Sequence, residues 1–94
     1  MSQHATLTLD TIVARRAGIM SAQVGNETAT MNVEKGMYYG IDDVGTRIWE
    51  LVETPCAVSE ICEELTEQYD VDIDTCRQDV IRFLGVLLDA EILD

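Results

Sequence analysis

The hydrophobic pattern of this chain changes period once, near residue 40, and that change decides the fold class. Before it the period is two, the spacing of a half-buried strand. Thr11 to Arg16 (TIVARR) opens on β-branched residues and ends at Ala17-Gly18. From Ile19 to Val24, Met20, Ala22 and Val24 alternate with Ser21 and Gln23. Gly25-Asn26 supplies a turn, because both residues tolerate positive φ. From Thr28 to Glu34, Ala29, Met31 and Val33 alternate with Thr28, Thr30, Asn32 and Glu34, and Lys35-Gly36 closes the segment. This predicts a three-stranded antiparallel meander with one face covered.

After Met37-Tyr38-Tyr39-Gly40 the spacing is helical. Asp42 or Asp43 can cap a first helix to about Glu53, with Val44, Ile48, Leu51 and Val52 on one stripe widened by Trp49. Thr54-Pro55 ends it. A second helix is expected from Val58 to Tyr69, with Val58, Ile61, Cys62, Leu65 and Tyr69 inward and no obvious N-cap. A third starts at the N-cap Asp72 and runs to about Ala90. Its apolar arc is wide. Ile73, Cys76, Val80, Phe83, Leu84 and Leu87 share one face at 100° per residue; Ile81 and Leu88 extend it on the side of Arg77, and Val86 on the other. Such a helix either touches several neighbours or lines a groove with one flank. The expected fold is α+β and winged helix-turn-helix-like: a three-stranded antiparallel sheet followed by three helices. It forms one domain over residues 11–94, with residues 1–10 as a flexible tail.

Charge narrows the partners. The 94 residues carry a formal charge of −12, all of it from residue 34 onward, where 16 acids face Lys35, Arg47, Arg77 and Arg82. A nucleic-acid binder needs clustered Lys and Arg to displace counterions. This domain repels phosphate and anionic membrane surfaces instead. Its acidity serves solubility or attracts a basic partner segment. No apolar run reaches the roughly 20 residues of a membrane span, and no secretory signal is visible. Cys56, Cys62 and Cys76 are odd in number and lack C-x-x-C spacing, which fits a cytoplasmic chain with packed thiols. Catalytic equipment is missing. His4 is the one histidine, and the chain shows no Cys-His or Ser-His-Asp set, P-loop, dinucleotide motif or metal-ligand cluster. No cofactor is implied.

The run from Thr30 to Val52, TMNVEKGMYYGIDDVGTRIWELV, resembles the signature of the PqqD-like proteins. These are recognition elements for precursors of ribosomally synthesised, post-translationally modified peptides. The pattern is a strand, a Gly-aromatic-aromatic turn, a short Asp-containing link and a helix with a G-x-x-I-W-x-L core. The T-P break, the acidic second helix ending in EQYDVD, and the final DVIRFLGVLLDAEIL extend the resemblance over about residues 11–94. Glu91 stands where that family often has Gly.

The resemblance implies a non-catalytic protein that binds the leader segment of a precursor peptide and presents it to processing or modifying enzymes. The leader would add as a strand in the cleft between the third strand and the third helix. A stand-alone domain of this kind is similar to those of lasso-peptide pathways, with a leader peptidase and a cyclase as partners. A pyrroloquinoline quinone pathway with a radical enzyme, or an adaptor with another target, are the alternatives. On this reading the peptide pairs with Thr28, Ala29, Thr30, Met31, Asn32 and Val33 and packs on Arg77, Val80, Ile81 and Leu84. Tyr38 and Tyr39 either cover the core at a turn or touch the leader. The charge distribution by itself predicts that the protein gives no duplex-DNA gel shift at low micromolar concentration and physiological salt.

Overall fold

The structure is a computed structural model that describes residues 7–94; the first six residues of the expected tail, His4 among them, lie outside the described residues. In chain order the elements are β1 (Ile12–Val13), β2 (Ile19–Val24), β3 (Glu27–Asn32), β4 (Met37–Ile41), α1 (Asp43–Leu51), β5 (Cys56–Ala57), α2 (Val58–Gln68) and α3 (Ile73–Asp89). The three-stranded antiparallel sheet and three helices stand as expected, but the strands of the sheet are not those that the alternation named. Its order is β2-β3-β4, while β1 pairs with β5 in a separate two-stranded ribbon. Met37–Ile41 is therefore a strand and not a turn cover. Its Met-Tyr-Tyr run suits a pleated surface. Gly36, at φ +67°, makes the tight reversal before it, with its N–H bonded to the Asn32 carbonyl at 2.8 Å.

The covered face of the sheet is its polar one. Thr28, Thr30 and Asn32 are buried, whereas Ala29 and Met31 point to the opposite side. Each of these three buried side chains has a partner, as low-dielectric surroundings demand. Thr28 Oγ1 and Thr46 Oγ1 of α1 lie 2.8 Å apart. Thr30 Oγ1 donates to the Tyr39 carbonyl at 2.8 Å. Asn32 Nδ2 donates to the Glu91 carbonyl at 3.0 Å, and its Oδ1 accepts from the Lys35 N–H at 3.1 Å. Short polar side chains thus hold α1 and the end of α3 against the sheet. The apolar core lies mainly among the helices, around Ile48, Trp49, Val52, Ile61, Leu84 and Leu87. Arg15 covers one face of Trp49, its guanidinium 4.2 Å from the ring centroid and donating to the Trp49 carbonyl at 2.7 and 3.1 Å.

Helix ends follow the sequence signals. Asp42 caps α1 by accepting from the Gly45 N–H at 2.8 Å, and Asp72 caps α3 by accepting from the Thr75 N–H at 3.1 Å. The end of α2 without an evident cap is served from elsewhere. The N–H groups of Val58 and Ser59 bond to the carbonyls of Thr11 and Leu9, and Glu60 Oε1 accepts from the Ala57 N–H. Leu7 and Leu9 pack on the core, so the described part of the expected tail is anchored. The C-terminal segment returns to the same place: Ala14 and Asp94 exchange backbone hydrogen bonds, and the Arg16 N–H bonds to the Ile92 carbonyl.

α3 ends in a Schellman motif. The Ile92 N–H reaches the Leu87 carbonyl and the Glu91 N–H the Leu88 carbonyl, which forces Glu91 to φ +59°. A left-handed L-residue costs about 1 kcal/mol relative to Gly. Glu91 offsets part of this through Lys35 Nζ at 2.9 Å and Arg16 Nη1 at 3.6 Å, both half-exposed pairs of small net value. Glu91→Gly should therefore unfold in urea at or slightly above the wild-type midpoint, by at most about 1 kcal/mol. A clear loss of stability would assign the ion pairs the larger role.

Candidate functional site

The sheet leaves two unpaired edges, and one of them is useful. β3 is the central strand, bonded to β2 on one side and β4 on the other. The backbones of Thr28, Ala29, Thr30, Met31 and Asn32 are therefore occupied, and Val33 lies in the turn beyond. A peptide cannot add there, contrary to the sequence expectation. The outer edge of β4 is free of sheet pairing, and α3 passes near both of its ends. Near Ile41, the Phe83 ring packs against the start of α1. Near Met37, the paired Asn32 holds the Glu91 carbonyl. An edge strand offers a row of backbone donors and acceptors to any extended chain.

The flank of α3 on this side carries Phe83 and Val86, not Arg77 and Ile81. Phe83 is partly buried and Val86 is 39% exposed. Arg77 and Ile81 lie about 120° and 160° around the helix from Phe83. Burial pushes the Cys62 thiol up to about 11, partly countered by the Arg77 charge. Arg77 is exposed and pairs with Asp74 at 3.7 Å. Val80 and Leu84 are buried in the core, and of the four helix residues expected at the site only Val80 also borders the cavity next to it. Burial likewise raises the Cys56 and Cys76 thiols, so all three are poor nucleophiles. Among the described residues there is no cluster of His, Cys, Asp or Glu able to hold a metal ion. Among the described residues no helix is long and apolar enough to cross a membrane.

The cavity has a volume of about 380 Å³ and lies beyond the Ile41 end of β4, between α1, α2 and α3. Val44, Ile48, Leu65, Tyr69, Val80 and Phe83 make its walls apolar, and Asp42 and Asp79 border it with negative charge. Gly45 sets its shape. A Cβ there would come within 2.6 Å of Ile41 Cγ2 and 2.8 Å of Phe83 Cζ. The signals for this site were present in the chain: a β-forming Met-Tyr-Tyr run after Gly36, and a glycine in the first turn of a helix. The two tyrosines divide their roles. Tyr39 faces the core, and Tyr38 is 72% exposed on the opposite face.

A sheet of three antiparallel strands followed by three helices, with one outer edge left unpaired at β4, defines a winged-helix-like domain. The family profile described as "Coenzyme PQQ synthesis protein D (PqqD)" matches residues 27–93. The chain belongs to the PqqD family. Among solved structures it is similar to TbiB1, determined in complex with the TbiA(beta) leader peptide. The two share 32% identity and a TM-score of 0.81, over 86% of this chain and 94% of that one. It also shares its fold with the PqqD truncation of Methylobacterium extorquens PqqCD, a stand-alone recognition element for ribosomally synthesised and post-translationally modified peptides. There the identity is 20% and the TM-score 0.78, covering 94% of each chain. A comparison with curated protein sequences finds no match.

Gly45→Ala should destabilise the domain by about 1–3 kcal/mol, because the added methyl meets the buried Ile41 side chain and the Phe83 ring in a packed corner. Urea unfolding checks this, and an unchanged midpoint would mean that the corner yields freely.

Proposed function

We propose that this protein binds the leader segment of a ribosomally made precursor peptide by strand addition and holds it for the enzymes that process it. The observation that carries the reading is the unpaired edge of β4, with Phe83 of α3 near its Ile41 end and Glu91 near its Met37 end, in a chain of the PqqD family. The 32% identity to a protein solved with its leader peptide supports it. The leader would lie along Met37–Ile41, antiparallel, with backbone hydrogen bonds supplying affinity and alternate side chains entering the cleft. This moves the peptide one strand outward from Thr28–Val33, and from the Arg77–Ile81 flank of α3 to the opposite one.

An antiparallel leader has its N-terminal residues at the Ile41 end, where the apolar cavity opens. An apolar leader side chain fits the walls of Ile48, Val80 and Phe83, and a neighbouring basic residue fits Asp42 and Asp79. On this reading the protein is not an enzyme. It acts in the cytoplasm and hands its cargo to a leader peptidase or another modifying enzyme. The lasso-peptide branch is the one favoured by the motif resemblance.

The test is a titration with a fluorescent leader segment of a candidate precursor peptide. Val86→Glu puts a charge where the bound strand must cover the helix. It should cost about 3 kcal/mol, roughly a hundredfold in Kd. Arg77→Glu, on the flank away from the cleft, should stay within about twofold of wild type, as exposed charges contribute little. The reverse ranking would restore the Arg77–Ile81 flank as the site.

A further inference from the structure

The sheet has a second broad face, turned away from the helices, and its side chains form an ordered relief. The register places Met20, Met31 and Tyr38 side by side across β2, β3 and β4. Two residues along the strands, Ala22, Ala29 and Gly40 form the next row. The first row is a ridge and the second a trough, about 7 Å apart. Met20 is 65% exposed, Tyr38 72%, and Val24, beyond the trough, 71%. Glu27 is the one charged residue among the paired positions on this face.

We propose that this face is a self-association surface on which a second copy of the chain packs sheet to sheet. The two-fold axis lies between the ridge and the trough and runs parallel to both. Rotation about it sets the Met20-Met31-Tyr38 ridge of each copy over the Ala22-Ala29-Gly40 trough of the other, so one surface is complementary to itself. Face-to-face sheets about 10 Å apart then interdigitate large side chains with small ones.

Charge and area agree with this occupant. All acids but Asp10 and Glu27 belong to residues 34–94, so sheet-to-sheet packing buries the face poorest in charge. Repulsion between two chains of −12 still opposes approach, and added salt screens it. Pairing therefore strengthens with salt, whereas docking of a basic partner would weaken. The exposed side chains offer on the order of 500 Å² per copy, so a pair buries about 1,000 Å², the lower bound of a specific interface. The dimer is weak and reversible, with Kd in the micromolar range or above. The outer edge of β4 lies in the plane of the sheet and stays open, so pairing and strand addition are compatible.

Sedimentation velocity tests the proposal on the whole chain, from about 10 to 500 µM and at about 0.05 and 0.5 M NaCl. The weight-average sedimentation coefficient should rise with concentration, and more steeply at the higher salt. Met20→Glu charges the ridge and Ala22→Leu fills the trough, both at exposed positions. Each should abolish the rise while leaving the circular-dichroism spectrum and melting temperature unchanged. A monomer at every concentration and both salts would overturn the proposal. So would association that weakens with salt, or association that both folded variants retain.

Discussion

The end of α3 is tied to the sheet through Asn32. Its amide donates to the carbonyl of Glu91 and accepts from the N–H of Lys35, so one buried side chain joins the central strand, the turn after it and the end of the last helix. An apolar residue of the same size would pack there but leave the part-buried Glu91 carbonyl without its donor, a cost of about 1 kcal/mol. Thr28 and Thr30 extend the principle along the strand. Because their side chains are short and partnered, Gly45 and Thr46 of α1 can lie close above the sheet. The geometry of the candidate site is a product of this polar layer.

That layer explains where the sequence was legible and where it misled. Helix positions could be read directly, because Asp42, Asp72 and the Thr54-Pro55 break act through local backbone chemistry. The Gly-type position at residue 91 was also visible, and the left-handed backbone there gives it a cause. Strand identity was harder to read. Alternation marks two faces but does not say which is buried. Here Thr28, Thr30 and Asn32 go inward against the usual preference, because each has a specific partner. The β1 strand pairs with β5, a segment more than forty residues away, and no local pattern announces such a pairing. Once β1 is removed from the sheet, Met37–Ile41 becomes its third strand and the free edge shifts with it.

The site inherits the same lesson. A family resemblance that places the partner beside the third strand is sound only when the strands are counted correctly. Counting within the sheet makes β4 the third strand, and the proposed cleft moves with it from Thr28–Val33 to Met37–Ile41. Helical periodicity alone named both flanks of α3. The packing of Phe83 over Gly45 is what distinguishes its flank from that of Arg77 and Ile81.

The way α2 is capped bears on how the chain folds. Its first N–H groups are satisfied by the carbonyls of Leu9 and Thr11, nearly fifty residues earlier, and the same N-terminal stretch pairs with Ile92 and Asp94. Both connections close long loops, and their entropy must be overcome before either bond rewards it. The helix cannot be completed by its own neighbourhood. Its N-terminus should order together with residues 9–16 and 92–94, and late, in one cooperative unit. Segments knitted together in this way have few routes for local fraying, which suits a scaffold whose edge must remain open while the layer behind it stays fixed.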